Sequence, residues 1–187
     1  MDLSAKRAIQ PPRATVLRTR LEPLCFAHLY ALMRWAPSIL EADKMQLRDL
    51  LIGTLICAHK GADGEELVGR TSTSRLMSLW GWRCRKLNVP EQAECFVKYI
   101  RDSINVPPLM VSPNGRKLCS HWLLQSHGLA LQLLHLSYQD SLSLPVAWIL
   151  YEITALREIE GKVELWPQDM EDFWQEVTAR QQAKVRN

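Results

Sequence analysis

The segment Leu47-Arg48-Asp49-Leu50-Leu51-Ile52-Gly53-Thr54-Leu55-Ile56-Cys57-Ala58 decides the fold class. Leu47, Leu50, Leu51, Thr54, Leu55 and Ala58 recur at intervals of three and four, the period of an α-helix rather than the two-residue alternation of a half-buried strand. Asp43, followed three residues later by Gln46, resembles a capping box and sets the start of this helix just before Leu47. The same bias runs through all 187 residues, with 29 Leu against 19 Val plus Ile and 8 Gly. That balance favours helix over sheet. The expected fold is all-α: a compact bundle of about seven helices in a single domain over 21–178, with a basic flexible arm over 1–20 and a basic, frayed tail over 179–187.

Towards the N-terminus, Pro23 suits a first helical position, and Leu24, Ala27, His28, Ala31, Leu32 and Trp35 keep helical spacing until Pro37. The arm before it carries Lys6, Arg7, Arg13, Arg18 and Arg20 against Asp2, a net +4, and holds Pro11-Pro12. It is expected to stay extended or disordered in isolation. Towards the C-terminus, residues 61–66 read as an exposed loop, because two glycines and three acids crowd six positions. A third helix is expected from Ser72 or Ser74 through Leu76, Leu79, Trp80 and Arg83 towards Leu87. Pro90 opens a fourth with Ala93, Phe96, Val97, Ile100 and Ile104 in one stripe.

Residues 105–115, with Pro107, Pro108 and Pro113, read as a connection. The fifth helix, about 118–136, is apolar on most faces and is expected to be surrounded by others, with Gly128 bending it or admitting a neighbour. Tyr138-Gln139-Asp140 separates it from a sixth over 144–160, in which Trp148, Tyr151 or Glu152, Ala155 and Ile159 follow one face and Gly161 suits the C′ position. Residues 163–166 read as an extended connector. Pro167 then opens a last helix through Met170, Phe173, Trp174 and Val177.

Composition excludes several classes. With 47% hydrophobic and 23% charged residues, the chain is neither collagenous nor low-complexity nor extensively disordered. The first twenty residues lack the apolar core of a secretory signal, and the longest apolar stretch, residues 50–58, is far short of the ~20 residues a spanning helix needs. Five cysteines, an odd number, fit free thiols in a reducing compartment, so the expected location is a cytoplasm.

Chemistry is harder to find. Cys25/His28, Cys57/His59 and Cys119/His121 bring thiol and imidazole together three times, but within apolar helical stretches rather than at the paired turn spacings of zinc sites, so no metal is expected. No G-x-S-x-G elbow, phosphate loop or dinucleotide fingerprint is present, and neither a catalytic residue nor a cofactor is assigned. The carboxylates Glu152, Glu158, Glu160, Glu164, Asp169, Glu171, Asp172 and Glu176 read as a solvated face of two amphipathic helices.

Charge is unevenly spread. Residues 152–176 hold those eight acids against Arg157 and Lys162, a net of −6, whereas the arm carries +4 and Arg75, Arg83, Arg85 and Lys86 add another +4 within twelve residues. Such asymmetry suits head-to-tail self-association or capture of a helical partner. Trp80 and Trp82 beside the cationic cluster also permit base stacking, so a nucleic-acid-binding regulator is an alternative. The candidate partner-contacting residues are Leu24, His28 and Leu32 of the first helix, with Trp80, Trp82, Arg83, Arg85 and Lys86. Core packing is the competing reading for the apolar ones.

Three pieces of sequence resemble a known family. Arg20-Leu21-Glu22-Pro23-Leu24-Cys25-Phe26-Ala27-His28-Leu29-Tyr30-Ala31-Leu32, the Leu47–Ala58 helix, and Pro145-Val146-Ala147-Trp148-Ile149-Leu150-Tyr151-Glu152 with Glu160-Gly161-Lys162-Val163-Glu164-Leu165-Trp166 are similar to the tail-assembly chaperones of tailed phages. These are small helical proteins encoded between the tail-tube and tape-measure genes. The resemblance covers about a third of the chain. It implies a helical fold, no enzyme activity, self-association into a homo-oligomer, and binding of another chain, a tape-measure or tail-tube protein, in the host cytoplasm. A structural head–tail or tail component that stays in the particle is the alternative within the same setting. The basic arm and the Arg75–Lys86 cluster are not part of the family's pattern.

Overall fold

In the computed structural model of the chain, which describes residues 9–40, 45–71, 75, 78, 84, 87–104, 109–110, 122–161 and 164–165, helix α2 (Leu47–Cys57) is the centre. Eight consecutive residues, Leu50 to Cys57, are buried. A helix apolar on every side needs cover on every side. It is supplied by α1 (Phe26–Trp35), a 3-10 turn (Pro37–Leu40), α3 (Asp63–Arg70) and α4 (Val89–Ile104). Helices α5 (Trp122–Leu133), α6 (Tyr138–Ser143) and α7 (Val146–Ile159) pack on the far side of α1 and α4. The described residues thus form an all-α bundle of seven α-helices.

Two of the seven replace expected breaks. Residues 61–66 are not a loop: Gly61 turns the chain at φ +55 and α3 starts at Asp63. Its three acids occupy the first turn, where the free N–H groups favour negative charge. Gly64 lies so close to α2 that an added Cβ would come within 2.7 Å of Ile56 Cα, so the glycine there permits helix contact. Tyr138-Gln139-Asp140 likewise opens α6, with the Ser137 hydroxyl accepting the Asp140 N–H at 3.1 Å.

Other boundaries move for visible reasons. Helix α1 begins at Phe26 rather than Pro23, because Leu24 and Cys25 stay extended: the Leu24 carbonyl accepts the Val146 N–H at 2.8 Å, and Cys25 bridges Pro145. The capping box of α2 is Gln46 with Asp49, one turn later than expected, and Asp43 lies outside the described residues. Helix α5 ends at Leu133, short of 136, and buries Leu123, His127 and Ala130, while residues 118–121 lie outside the described residues. Among the described residues nothing lies within 4 Å of a Cβ built at Gly128, so none of them makes a close approach there. In α7 the buried face is Val146, Ala147, Ile149, Leu150, Ile153 and Thr154, while Ile159 is 81% exposed. The stripe along Trp148, Tyr151 and Ala155 is half-buried beside that face. Gly161 does end the helix, at φ +67.

The arm is also corrected. Strands β1 (Thr15–Val16) and β2 (Thr19–Arg20) form an antiparallel hairpin whose turn residues, Leu17 and Arg18, have φ +48 and +60. That strained turn is held because Val16, Leu17 and Leu21 are completely buried and the Leu17 N–H donates to Gln92 Oε1 at 2.8 Å. From Ala14 onward the segment belongs to the folded body. Within residues 105–115, Leu109–Met110 form β3, which pairs antiparallel with β4 (Glu164–Leu165), the expected extended connector. Arg75, Ser78 and Cys84 have helical backbone. The rest of the expected third helix, the last helix from Pro167 and the tail over 179–187 lie outside the described residues.

Candidate functional site

Two buried polar constellations and one open groove carry the chemically notable side chains. The first joins α1, α2 and α4. His28 is 1% exposed, its Nδ1 accepts the Cys25 N–H at 3.3 Å, and its Nε2 meets the His59 carbonyl at 2.7 Å. A carbonyl only accepts, so Nε2 carries the proton and the ring is neutral. Burial pushes its pKa down, in agreement. His59 in turn donates from Nδ1 to the Leu55 carbonyl at 2.9 Å. Cys25 and Cys57 are buried, and burial raises both thiols. The Tyr99 hydroxyl donates to the Glu22 carbonyl at 2.6 Å. These groups bind backbone and close the junction of hairpin, α1 and α2; a protonated, buried thiol is a poor nucleophile.

The second constellation has the outline of a catalytic triad. His127 Nε2 lies 2.7 Å from Ser141 Oγ, and Nδ1 lies 2.8 Å from the Tyr30 hydroxyl. Its proton directions are those of a structural chain, however. Ser141 donates to the Tyr138 carbonyl at 2.8 Å, so His127 Nε2 donates to Ser141, and Nδ1 must accept from Tyr30. The imidazole therefore has no lone pair facing the serine, and Ser141 is completely buried. Phe26 stacks on the ring at 5.0 Å. Burial lowers the His127 pKa and holds it in this neutral form.

The groove is different in kind. Between α1, the 3-10 turn, α4 and α5, a cleft of about 280 Å³ is lined by Leu29, Leu32, Met33, Ile100 and Ile104 among others. A second, of about 450 Å³, lies between α4, α5 and α7 and is lined by Leu129, Leu150 and Ile153. They meet at Ile104 and Trp122, which border both. Met33 and Trp122 are 43% and 42% exposed at the rim. Each cleft has one cationic wall residue, Arg101 and Arg157, and neither forms an ion pair among the described residues.

The expected contact residues fare unevenly. Leu24, His28 and Leu32 are each 1% exposed, so they are core and offer no outward surface; Leu32 reaches only the floor of the first cleft. Trp80, Trp82, Arg83, Arg85 and Lys86 lie outside the described residues. Met33, Arg101, Ile104, Trp122 and Arg157, which line the clefts, are not among the expected contact residues. Of these only Trp122 has a signal in the sequence, the all-round apolar character of residues 122–134, which reads as enclosure when taken alone.

Among the described residues no three His, Cys, Asp or Glu side chains converge as a metal set, and no helix is long and apolar enough to cross a membrane. Cys119 and His121 lie outside them. Set beside known proteins, the chain has no match: no family model, no curated protein and no solved structure.

Proposed function

We propose that the chain is a non-enzymatic assembly chaperone that holds an amphipathic helical segment of a phage tape-measure protein and self-associates while doing so. The observation that carries this reading is the apolar groove meeting at Ile104 and Trp122. An amphipathic helix lays anchors at i, i+3, i+4 and i+7 into such grooves, and the walls here are apolar helix faces. The closed state of Ser141, Cys25 and Cys57 supports a binding role over a nucleophilic one. The resemblance to tail-assembly chaperones in three segments supplies the client class.

The test is co-expression with the tape-measure protein encoded beside the chain's own gene. The expected result is that the tape-measure protein stays in the supernatant with the wild-type chain and aggregates with an Ile104→Glu variant of unchanged helicity. A gene neighbourhood without a tape-measure gene, or a client indifferent to the chain, overturns the reading.

A further inference from the structure

We propose that His28 is an acid-sensitive latch on the N-terminal end of α1: when its ring takes up a proton, it lets go of the Cys25 N–H and frees the first turn of α1 from the start of α7. The latch belongs to the bundle itself and is independent of any client.

A capping box ordinarily places Glu or Gln at the third helical position, where a side-chain oxygen accepts the N–H of the N-cap residue. In α1 that position is His28, which accepts the Cys25 N–H through Nδ1 at 3.3 Å, while the Cys25 side chain takes the His28 N–H in return. Nε2 donates to the His59 carbonyl at 2.7 Å, so Nδ1 holds the ring's one available lone pair. A proton on Nδ1 removes that lone pair and leaves two N–H groups facing each other. His28 is 1% exposed, so water does not stand ready to accept the new proton. The charge also falls in the first turn of a helix, where the free N–H groups favour anions and oppose cations.

The latch closes a junction between distant parts of the chain. The Leu24 carbonyl accepts the Val146 N–H at 2.8 Å and Cys25 bridges Pro145, so residues 24 and 25 tie α1 to the first residue of α7. Just upstream, Glu22 is pinned separately: its N–H donates to the Cys57 carbonyl at 2.8 Å, and its carbonyl accepts the Tyr99 hydroxyl at 2.6 Å. Opening is therefore confined to the stretch from Leu24 to His28, with the hairpin and α2 left in place. It bares the Cys25 thiol, 1% exposed in the closed form, and leaves Cys57 enclosed. Among the described residues, Glu22 before α1 favours a proton on the ring and His59 beyond α2 opposes it, while α3, α6 and α7 bring no charged group to bear. The thiols of Cys25 and Cys57 are held neutral by burial. Desolvation is the largest influence on His28 and keeps its pKa below the ordinary 6.5. The closed form thus binds the proton more weakly than the open form, and acid drives opening by at most about tenfold per pH unit below ~6.5.

The test follows thiol reactivity of the full-length chain towards a pyridyl disulfide between pH 7.5 and pH 5.5. Peptide mass spectrometry reads each cysteine, and each rate is divided by that of exposed Cys95 in the same sample, which removes the intrinsic pH dependence of the reaction. In the wild-type chain the Cys25 ratio should rise about tenfold from pH 7.5 to pH 5.5, with Cys57 unreactive and helicity by circular dichroism unchanged. In His28→Gln the amide oxygen takes the Cys25 N–H and does not titrate, so the ratio should stay flat. A flat ratio in wild type overturns the latch, and so does a parallel rise of Cys25 and Cys57, which would mean global unfolding. A rise that persists in His28→Gln also overturns it and assigns the effect to another group, His127 foremost. NMR of the wild-type chain decides the matter even where His28→Gln fails to fold: protonation of the His28 ring should shift the Cys25 and Val146 amide signals with it. A ring that takes its proton with both amides unmoved overturns the latch.

Discussion

Helices α2 and α5 are written in the same alphabet and meet opposite fates. Residues 50–57 and 122–134 are both leucine-rich on nearly every face. In α2 every residue from Leu50 to Cys57 is buried, whereas in α5 Leu123, His127 and Ala130 are buried and Leu124 is 57% exposed. The difference lies in the neighbours. Helix α2 is gripped by α1, α3, α4 and the 3-10 turn, and glycines at 53 and 64 let them come close. Among the described residues helix α5 rests on α6 and α7 and borders the groove. An apolar helix surface states that cover is needed; it does not state which chain provides it.

The same substitution in the two helices is the sharpest way to break this contrast. Leu50→Gln, at a completely buried position, should cost about 3–5 kcal/mol, from a lost apolar side chain and a buried amide without partners. Leu124→Gln in α5 should change stability by no more than ~0.5 kcal/mol. Chemical denaturation of the two variants checks both, and equal costs would erase the distinction. Next in size is Gly64→Ala. The methyl would meet backbone atoms of Ile56, 2.7 Å from Cα and 2.9 Å from the carbonyl carbon, so α3 must lift off α2 at about 1–3 kcal/mol. A melting temperature unchanged by Gly64→Ala would mean that this helix contact is not tight.

Acidification should loosen the buried histidines. Burial holds the pKa of His28 and His127 below the usual 6.5, so below that pH the unfolded chain binds protons that the folded chain does not. Stability is then fully present above pH ~6.5 and falls as pH drops beneath it, with a slope of at most ~1.4 kcal/mol per pH unit for each histidine. His28→Gln should be destabilising at pH 7.5 and should flatten the decline between pH 7 and pH 5.5; a decline of unchanged steepness would remove His28 as a cause. The smallest effect concerns thiols. Cys95 is exposed and should react with a disulfide reagent at once, while Cys25 and Cys57 wait for unfolding. Cys95→Ser should therefore remove a fast phase and leave stability unchanged.

What was readable in the sequence follows the same division. The all-α class and the spans of α2, α4 and α7 were legible because their apolar period is long and regular, with Pro or Gly beside the ends of α4 and α7. Helix α3 was hidden because its acids and Gly64 read as loop chemistry; the acids serve the helix N-terminus and the glycine serves contact with Ile56. The hairpin was hidden because a turn through Leu17 and Arg18 carries no glycine or asparagine to announce it. Leu24, His28 and Leu32 were mistaken for contacts because helical periodicity marks an apolar face without saying whether the body or a partner covers it. The groove needed three helices far apart in sequence, α1, α4 and α7, to be placed beside α5.

The central claim is that this groove binds an amphipathic helix through apolar contact. Calorimetric titration of the chain with an amphipathic helical peptide of the tape-measure protein at several temperatures measures it most directly. Apolar burial predicts saturable binding with a negative heat-capacity change, lost on Ile104→Glu at unchanged helicity. Binding heat that is independent of temperature, or equal with Ile104 and Glu at that position, would contradict it.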